Sequence, residues 1–469
     1  MDACATRKLA EVLASTTPDH LSPDTLSHAH RAVLDWLGSA LGGSIEPPAR
    51  MAQQVAAGLG RSDDCTIFSG GRGSAAAAAL ANGVSSHILE LDDIHKGSTV
   101  HAAAPIIPAA LAVAEREHAD GRAFLTAVTL GYEAAFRIGE AVNPSHYCFW
   151  HPTGTVATFG AAVAAGTVLH LTPERMLHAL GTAGTQAAGL WEFNADGAMS
   201  KHLHPGKAAM NGVLSADLAK AGFTGASRIL EGERGFFAAM SELPDASPAA
   251  KLARQARVTA GLGTQWKIGE NGYKLHACCG HTHTAIDVAI SMRTAGRWSA
   301  EQVSEISAVD VETYAPGYAI VNEDNPLTPY QAKFSLAYCV AAALLEGRVG
   351  LEQFAPERFD AGGVCHRGIA RLLPRIRVTV APDLTVQYPA AWPTRVSVTL
   401  RGRTTLEGAA QYPLGNAENP VDTGRLEAKM AALLEPRFGA AAARSAQDAI
   451  AALPECADMA TLFRHLLHG

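Results

Sequence analysis

The residues best suited to chemistry stand together in the stretch 189–212, which reads GLWEFNADGAMSKHLHPGKAAMNG. Its segment 200–207, called the basic segment below, holds Lys201, His202, His204 and Lys207 without an intervening acid. Small flanking residues let the backbone approach a ligand closely. In a chain of net charge −7, this local positive charge suits a carboxylate or phosphate ligand. A solvated turn is the structural alternative. Lys207 follows a Pro-Gly pair, so we expect it to point to solvent.

Two more segments of the N-terminal half place titratable groups near helix ends. Asp92 and Asp93 close a segment with helical spacing, and acids at a helix C-terminus either face solvent or serve a site. His101 stands just before an Ala/Pro-rich run, where a structural role is the commoner one. His151 directly precedes a predicted helix start, where free N–H groups favour an anion.

The fourth segment, 273–283, reads YKLHACCGHTH. It supplies Tyr273, Lys274, His276 and Cys279 as candidates for substrate contact. Removing a proton beside a carboxylate builds up negative charge, which Lys201 or Lys274 would stabilise. A histidine that titrates near neutrality can take or return the proton. These residues support acid–base chemistry and leave the reaction open.

Other catalytic classes lack their signatures. The clusters 92–101 and 278–283 could in principle bind zinc or iron, but neither has C-x₂-C or H-E-x-x-H spacing, so we predict no metal site. There is no G-x-S-x-G elbow and no Rossmann or Walker fingerprint. A nucleophilic Cys279 lacks a partner motif. We therefore predict no cofactor.

The elements that must position these residues are mostly helices. Ser22 and Pro23 predict an N-cap and an N1 proline, followed by leucines at helical spacing as far as residues 42–43. A second helix carries an apolar face that runs into the acids at 90–93. The segment 156–171 is a buried apolar helix, and Thr172 caps the next one. We assign residues 1–265 to an all-helical domain.

The pattern of hydrophobic residues changes from helical to strand-like in the second half of the chain. Strand-like alternation occurs at 306–311, 375–380 and 395–400, separated by Pro and Gly, which predicts a smaller α+β domain over 266–404. Asp422 caps a further helix, and we expect the segment 405–469 to pack back on the helical domain. The predicted fold class is mostly α, with a large all-helical domain and a smaller α+β domain.

Composition limits the partners and the location. The 469 residues are 48% hydrophobic but only 6% aromatic, which favours closely packed helices. No run of five like charges occurs, so binding to nucleic acid or an anionic membrane is not expected. The N-terminus lacks the pattern of a secretory signal, and the eight cysteines have no framework spacing. These features predict a cytoplasmic protein with reduced thiols.

Several of these segments together resemble the MmgE/PrpD family, which includes 2-methylcitrate dehydratases, cis-aconitate decarboxylases and iminodisuccinate epimerase. The resemblance covers nearly the whole chain in order and spacing. The matching segments are LDWLGSALGG (34–43), residues 81–112, GYEAAFRIG (131–139), HPTGTVATFGAAVAAG (151–166), residues 195–212, YKLHACCGHTHTAID (273–287), residues 332–349 and the region 393–402.

The resemblance implies a helical domain with an α+β lid, a homodimer, and an active site in the cleft between domains that uses no cofactor or metal. Carried over by position, the catalytic residues of the decarboxylases are Asp93, His101, His151, Lys201 and Lys274. The decarboxylases have a lid histidine where this chain has Cys279, which leaves His276 or His281 to take its place. The 2-methylcitrate dehydratases, in turn, diverge from the SKHLHPG pattern.

We predict a cofactor-independent lyase that acts on a small di- or tricarboxylate, with dehydration of a 2-methylcitrate-like hydroxy acid as the leading reaction. His101 and His151 would transfer protons, Lys201 and Lys274 would stabilise carboxylates, and Asp93 would orient a histidine. The substrate-binding candidates are His202, His204, Tyr273, His276 and Cys279. The alternatives are decarboxylation of cis-aconitate, epimerisation of a dicarboxylate, and a non-catalytic carboxylate-binding relative.

Overall fold

The computed structural model describes residues 4–60, 62–241, 247–296, 298–402 and 405–467. Most of these residues are helical and the strands are few, so the predicted fold class is confirmed. In chain order the α-helices are α1 (Ala5–Ser15), α2 (Pro23–Gly43), α3 (Pro47–Gly58), α4 (Ala75–His87), α5 (Ala103–Arg116), α6 (Gly121–Val142), α7 (Pro152–Val168), α8 (Pro173–Gly184), α9 (Phe193–Asp196), α10 (Ser200–Lys220), α11 (Phe236–Met240), α12 (Pro248–Thr259), α13 (His283–Ala295), α14 (Ala300–Ser304), α15 (Ala315–Val321), α16 (Pro329–Ala332), α17 (Leu336–Glu346), α18 (Arg367–Leu372), α19 (Pro382–Thr385), α20 (Thr423–Ala452) and α21 (Met459–Leu462). The strands are β1 (Cys65–Ile67), β2 (Gly71–Gly73), β3 (Ile306–Thr313), β4 (Phe359–Asp360), β5 (Gly363–Val364), β6 (Ile376–Val380), β7 (Thr394–Leu400) and β8 (Thr405–Ala410).

The chain divides into two compact units. The first unit comprises residues up to Ile88, Asp92–Asn271 and the chain from Asp422 onward; the second comprises Leu89–Leu91 and Gly272–Val421. We predicted domain boundaries after residues 265 and 404. In the structure the chain passes from one unit to the other after residues 271 and 421, which is six and seventeen residues later. The tripeptide Leu89–Leu91 belongs to the second unit although both of its neighbours belong to the first.

The first unit is built around α7. Every residue of α7 is buried except Thr167, which is half-buried. The helix packs against α5, α6, α8 and α10. Glycine and alanine make up much of its surface, which lets neighbouring helices approach closely. The long helix α20 packs on α2, and Lys429 of α20 forms an ion pair with the buried Asp35 at 2.6 Å.

Local capping signals are confirmed at three helix starts. The side chains of Ser22, Thr172 and Asp422 each accept a hydrogen bond from the backbone N–H three residues later. One boundary is wrong: α4 ends at His87, so the acids at 90–93 lie in the loop that follows and not in the last turn of a helix. Three residues past the helix end, Glu90 lies in the left-handed region with φ of +59°.

Two glycines set the spacing between α4 and α10. A Cβ on Gly83 would lie 2.7 Å from the Cα of Gly206, and a Cβ on Gly206 would lie 2.5 Å from the carbonyl oxygen of Leu80. The two helix backbones therefore touch at this point, which only glycine permits. This contact brings the start of α10 beside the end of α4.

The second unit contains a four-stranded mixed sheet with the order β6-β3-β7-β8. Strands β3 and β6 are parallel, while β7 pairs antiparallel with both β3 and β8. The predicted alternation at all three segments is confirmed, and Val309 and Val311 of β3 face Val398 and Val396 of β7 in a buried layer. Helix α13 packs on β7, β8 and α17. None of the helices in the described part of the chain combines the length and the apolar composition needed to cross a membrane.

Candidate active site

The basic segment forms the first two turns of α10, not a solvated turn. Lys201, His202 and His204 are all buried, and Pro205 continues the helix. Lys207 does not point to solvent, so that expectation is wrong. Its Nζ donates hydrogen bonds to the carbonyl oxygens of Ala188 (2.8 Å), Gly154 and Gln186 (3.3 Å each).

Three buried imidazoles lie together in the first unit: His87, His101 and His151, called the histidine cluster below. Their ring centroids are 4.9 Å (His87–His101), 5.5 Å (His87–His151) and 6.2 Å (His101–His151) apart. His87 ends α4, His101 lies just before α5, and His151 is the N-cap of α7. Three separate helix ends thus meet around one small volume.

Asp92 is the carboxylate of this cluster. Its Oδ2 accepts a hydrogen bond from Nδ1 of His87 at 2.6 Å and lies 3.6 Å from Nδ1 of His101. Asp92 and His87 are both completely buried. Because the carboxylate can only accept, His87 carries a proton on Nδ1, which leaves Nε2 as the other polar atom of the ring. That Nε2 is buried and has no hydrogen-bond partner among the described residues.

Asp93 is engaged differently from its neighbour. Its carboxylate accepts hydrogen bonds from the hydroxyl of Tyr132 (2.6 Å) and the backbone N–H of Ala103 (2.9 Å). Burial raises the pKa of Asp93 to about 7, against the opposing effect of these two hydrogen bonds. Nδ1 of His101 donates to the main-chain oxygen of Asp93 at 2.6 Å. Asp93 therefore contacts His101 through its backbone, and its carboxylate ties the start of α5 to α6.

The Nδ1 atoms of His151 and His204 are 3.0 Å apart, the distance of a hydrogen bond between the two rings. Burial, followed by the charge of His204 and other nearby groups including Lys201, holds the pKa of His151 well below its ordinary value. Burial and then the charge of Lys207 lower the pKa of His204 to about 3. Both rings are therefore neutral at neutral pH. Nε2 of His151 is buried without a hydrogen-bond partner in the part of the chain that the structure describes.

Lys201 is 2% exposed, and after burial its charge is one of the smaller causes that lower the pKa of His151 and of His204. His202 has its ring 6.3 Å from that of His87. The first unit thus brings together six of the candidates named from the sequence, Asp93, His101, His151, Lys201, His202 and His204, and adds His87 and Asp92 to them.

The remaining candidates lie in the second unit. Lys274 is 1% exposed, and its Nζ is 3.5 Å from Oε2 of Glu90, which is equally buried. The backbone N–H of Tyr273 donates to the carbonyl of Gly415 at 2.9 Å. Nε2 of His276 lies 2.9 Å from Oδ1 of Asp287.

Cys279 is buried at the start of a short 3₁₀ turn, and its backbone N–H donates to the carbonyl of Lys333 at 3.0 Å. His281, which could take the place of a lid histidine, has its Nδ1 2.6 Å from the hydroxyl of Tyr314. Burial first, and then the charges of His283 and Lys274, lower the pKa of His281 to about 3. His281 is thus a neutral ring at neutral pH.

Two groups of side chains are close enough together to be considered as metal ligands. The first is His87, Asp92 and His101, and the second is His95, Glu140 and Glu270. Two ligands of a tetrahedral zinc ion would stand roughly 3.3 Å apart at the usual bond lengths. The 2.6 Å contact between His87 and Asp92 is instead the length of a charge-assisted hydrogen bond. In the second group Lys267 donates to Glu140 at 2.9 Å and supplies the balancing charge.

Sequence reasoning missed His87, Glu90 and Tyr132 as site residues. His87 lay within a predicted helix. Its one signal is the polar run 85–87 in a mostly apolar helix that is almost entirely buried. Glu90 was grouped with the acids of a helix end, and nothing local marks its left-handed conformation. Tyr132 lies 39 residues from the aspartate that it contacts.

Comparison with known proteins identifies two matching family models. The MmgE/PrpD N-terminal domain matches residues 7–249, and the MmgE/PrpD C-terminal domain matches residues 276–455. The chain is 29% identical to the cis-aconitate decarboxylase-like protein oryM of Aspergillus oryzae, over 76% of this chain and 77% of that protein. It is 28% identical to a cis-aconitate decarboxylase of Aspergillus terreus (75% and 74% covered) and 25% identical to the human cis-aconitate decarboxylase (91% and 87% covered).

Proposed function

Because the chain belongs to the MmgE/PrpD family, we propose that it is a lyase that acts on a small di- or tricarboxylate by histidine and lysine acid–base chemistry. The observation that carries this proposal is the histidine cluster with Asp92 and Lys201 in one buried volume of the first unit. Such a set offers groups that give and take protons beside a cation that stabilises a carboxylate.

The three rings of the cluster differ in what they can do. His151 is held neutral, so it is suited to accept a proton or to donate a hydrogen bond. His101 donates from Nδ1 to the main-chain oxygen of Asp93, and its Nδ1 lies 3.6 Å from the carboxylate of Asp92. We assign the general acid to His101, acting through Nε2, and the general base to His151.

Decarboxylation of a cis-aconitate-like tricarboxylate is the first candidate reaction, supported by the names of the relatives. The bond between a carboxylate carbon and the substrate chain breaks, and CO₂ leaves. The electron pair stays on the chain, where Lys201 stabilises the negative charge, and His101 then delivers a proton to that carbon. This reaction needs an acid but no base.

Dehydration of a 2-methylcitrate-like hydroxy acid is the second candidate. It needs a base to remove the proton from carbon and an acid to protonate the departing hydroxyl, and the neutral His151 beside His101 supports this pair of roles. The cysteine at position 279, where the resemblance places a histidine in the decarboxylases, also favours it. Lys274 is the second lysine proposed to bind a carboxylate.

The experiment is incubation of the purified protein with a panel of polycarboxylates in D₂O, followed by NMR. Loss of CO₂ with deuterium on the product carbon identifies a decarboxylase, and loss of water identifies a dehydratase. Deuterium exchange without net change identifies an epimerase. Binding without turnover would contradict the proposal and leave a non-catalytic carboxylate-binding relative.

A further inference from the structure

The buried ion pair between Lys274 and Glu90 affects how a carboxylate can bind in the second unit. Nζ of Lys274 lies 3.5 Å from Oε2 of Glu90, and each side chain is 1% exposed. Removing a charge from water costs several kcal/mol unless an opposite charge accompanies it. Lys274 therefore already has an anion beside it, and an incoming carboxylate must compete with that anion.

The backbone around Glu90 is held in an unusual conformation. Its φ of +59° lies in the left-handed region, which a residue with a Cβ avoids. The carbonyl of the preceding Leu89 accepts a hydrogen bond from Nζ of Lys333 at 3.0 Å. Strain of this kind concentrates at functional sites, where surrounding contacts enforce it. The contacts of two lysines, 274 and 333, hold this short segment in place.

Several titratable groups surround the pair. Burial, and then the negative charges of Glu90 and Cys279, hold the pKa of Tyr330 well above its ordinary value. Burial lowers the pKa of His281 and of His283, and the charge of Lys274 adds to both shifts. Tyr330 therefore lies near Glu90, and His281 and His283 lie near Lys274. Lys333 contacts the carbonyl of Leu89 next to Glu90. Glu90 is the buried carboxylate paired with Lys274, so its proton affinity depends directly on that lysine.

We propose that Glu90 occupies the position of a substrate carboxylate at Lys274, and that Glu90 takes up a proton when a polycarboxylate displaces it. This inference rests on the proposed function, in which Lys274 binds a substrate carboxylate. Displacement removes a cation from Glu90 and brings a second anion near it, and both changes favour the protonated acid. The association constant of the polycarboxylate then falls as pH rises. With one proton taken up per site, the fall is at most about tenfold per pH unit.

The test is calorimetric titration of the full-length wild-type protein with tricarballylate, a tricarboxylate with neither a hydroxyl group nor a double bond. Titrations at pH 8 in HEPES and in Tris, which differ in ionisation enthalpy, give the number of protons taken up. We expect uptake of a substantial fraction of one proton per site. Binding with the same observed enthalpy change in both buffers, and so without proton uptake, would overturn the inference while leaving the proposed function intact.

Two variants locate the proton. Glu90→Gln keeps the size of the side chain but cannot ionise, so we expect uptake to disappear and tricarballylate to bind several-fold more tightly. Glu140→Gln removes another lysine-paired carboxylate, beside Lys267, and should leave uptake unchanged. Proton uptake that persists in the Glu90→Gln variant would refute the assignment of the proton to Glu90. If Glu90→Gln does not fold, the wild-type measurement still decides. If no polycarboxylate binds to the wild type, the proposed function fails, and this inference fails with it.

Discussion

Lys201→Ala is the substitution that most directly tests the proposed site. Lys201 is 2% exposed and close to two neutral histidines, so its charge acts in a poorly solvated volume. Two unit charges 4 Å apart interact by about 4 kcal/mol at an effective dielectric constant of 20. Removal of one preorganised electrostatic partner typically costs on the order of 10²–10³ in kcat, or about 2.7–4 kcal/mol. We expect a loss of that size in kcat with little change in KM.

Lys207→Ala is the matched control, because the same helix carries both lysines. Lys207 donates to three backbone carbonyls, and burial lowers its pKa to about 8. Removing this side chain should lower the free energy of unfolding by about 1.5–3 kcal/mol, the usual contribution of hydrogen bonds to a charged group. We expect kcat to fall by less than about tenfold.

Steady-state kinetics and thermal denaturation of the two variants separate these outcomes. Equal losses of kcat, or a larger loss for Lys207→Ala, would show that the site is not centred on Lys201. If Lys201→Ala raises KM alone, the lysine only binds substrate and the histidines carry the chemistry.

Four further predictions follow from the same contacts. Asp92→Asn should lower kcat by at least about 10², because an amide can donate to Nδ1 of His87 and reverse its tautomer; unchanged kinetics would remove Asp92 and His87 from the site. Stability should fall as pH drops below about 6.5, since burial lowers the pKa of His146 to about 4 and that of His204 to about 3, and only the unfolded chain takes up these protons; a Tm that rises on acidification would contradict this. Exhaustive chelation should leave turnover unchanged, and recovery that depends on one added ion would disprove it. Light scattering at micromolar concentration should show a dimer, and a monomer would refute the expectation drawn from the family resemblance.

Local signals in the sequence predicted much of the fold. Ser22, Thr172 and Asp422 cap helices because a short polar side chain reaches an N–H three residues away, an interaction that needs no distant partner. The strands at 306–311, 375–380 and 395–400 follow from alternation within each segment. The position of His151 just before a helix was predictable for the same reason, since Pro152 marks the first turn.

The tertiary structure alone decided which side chains meet. The sequence predicted that Lys207 points to solvent, but its Nζ binds the carbonyls of residues 154, 186 and 188. His87 gains its role from Asp92, because α4 ends one turn earlier than its apolar pattern suggests. Glu90 is paired with a lysine 184 residues away. Each of these contacts depends on packing between segments distant in sequence, and propensity and periodicity describe only what lies within a few residues.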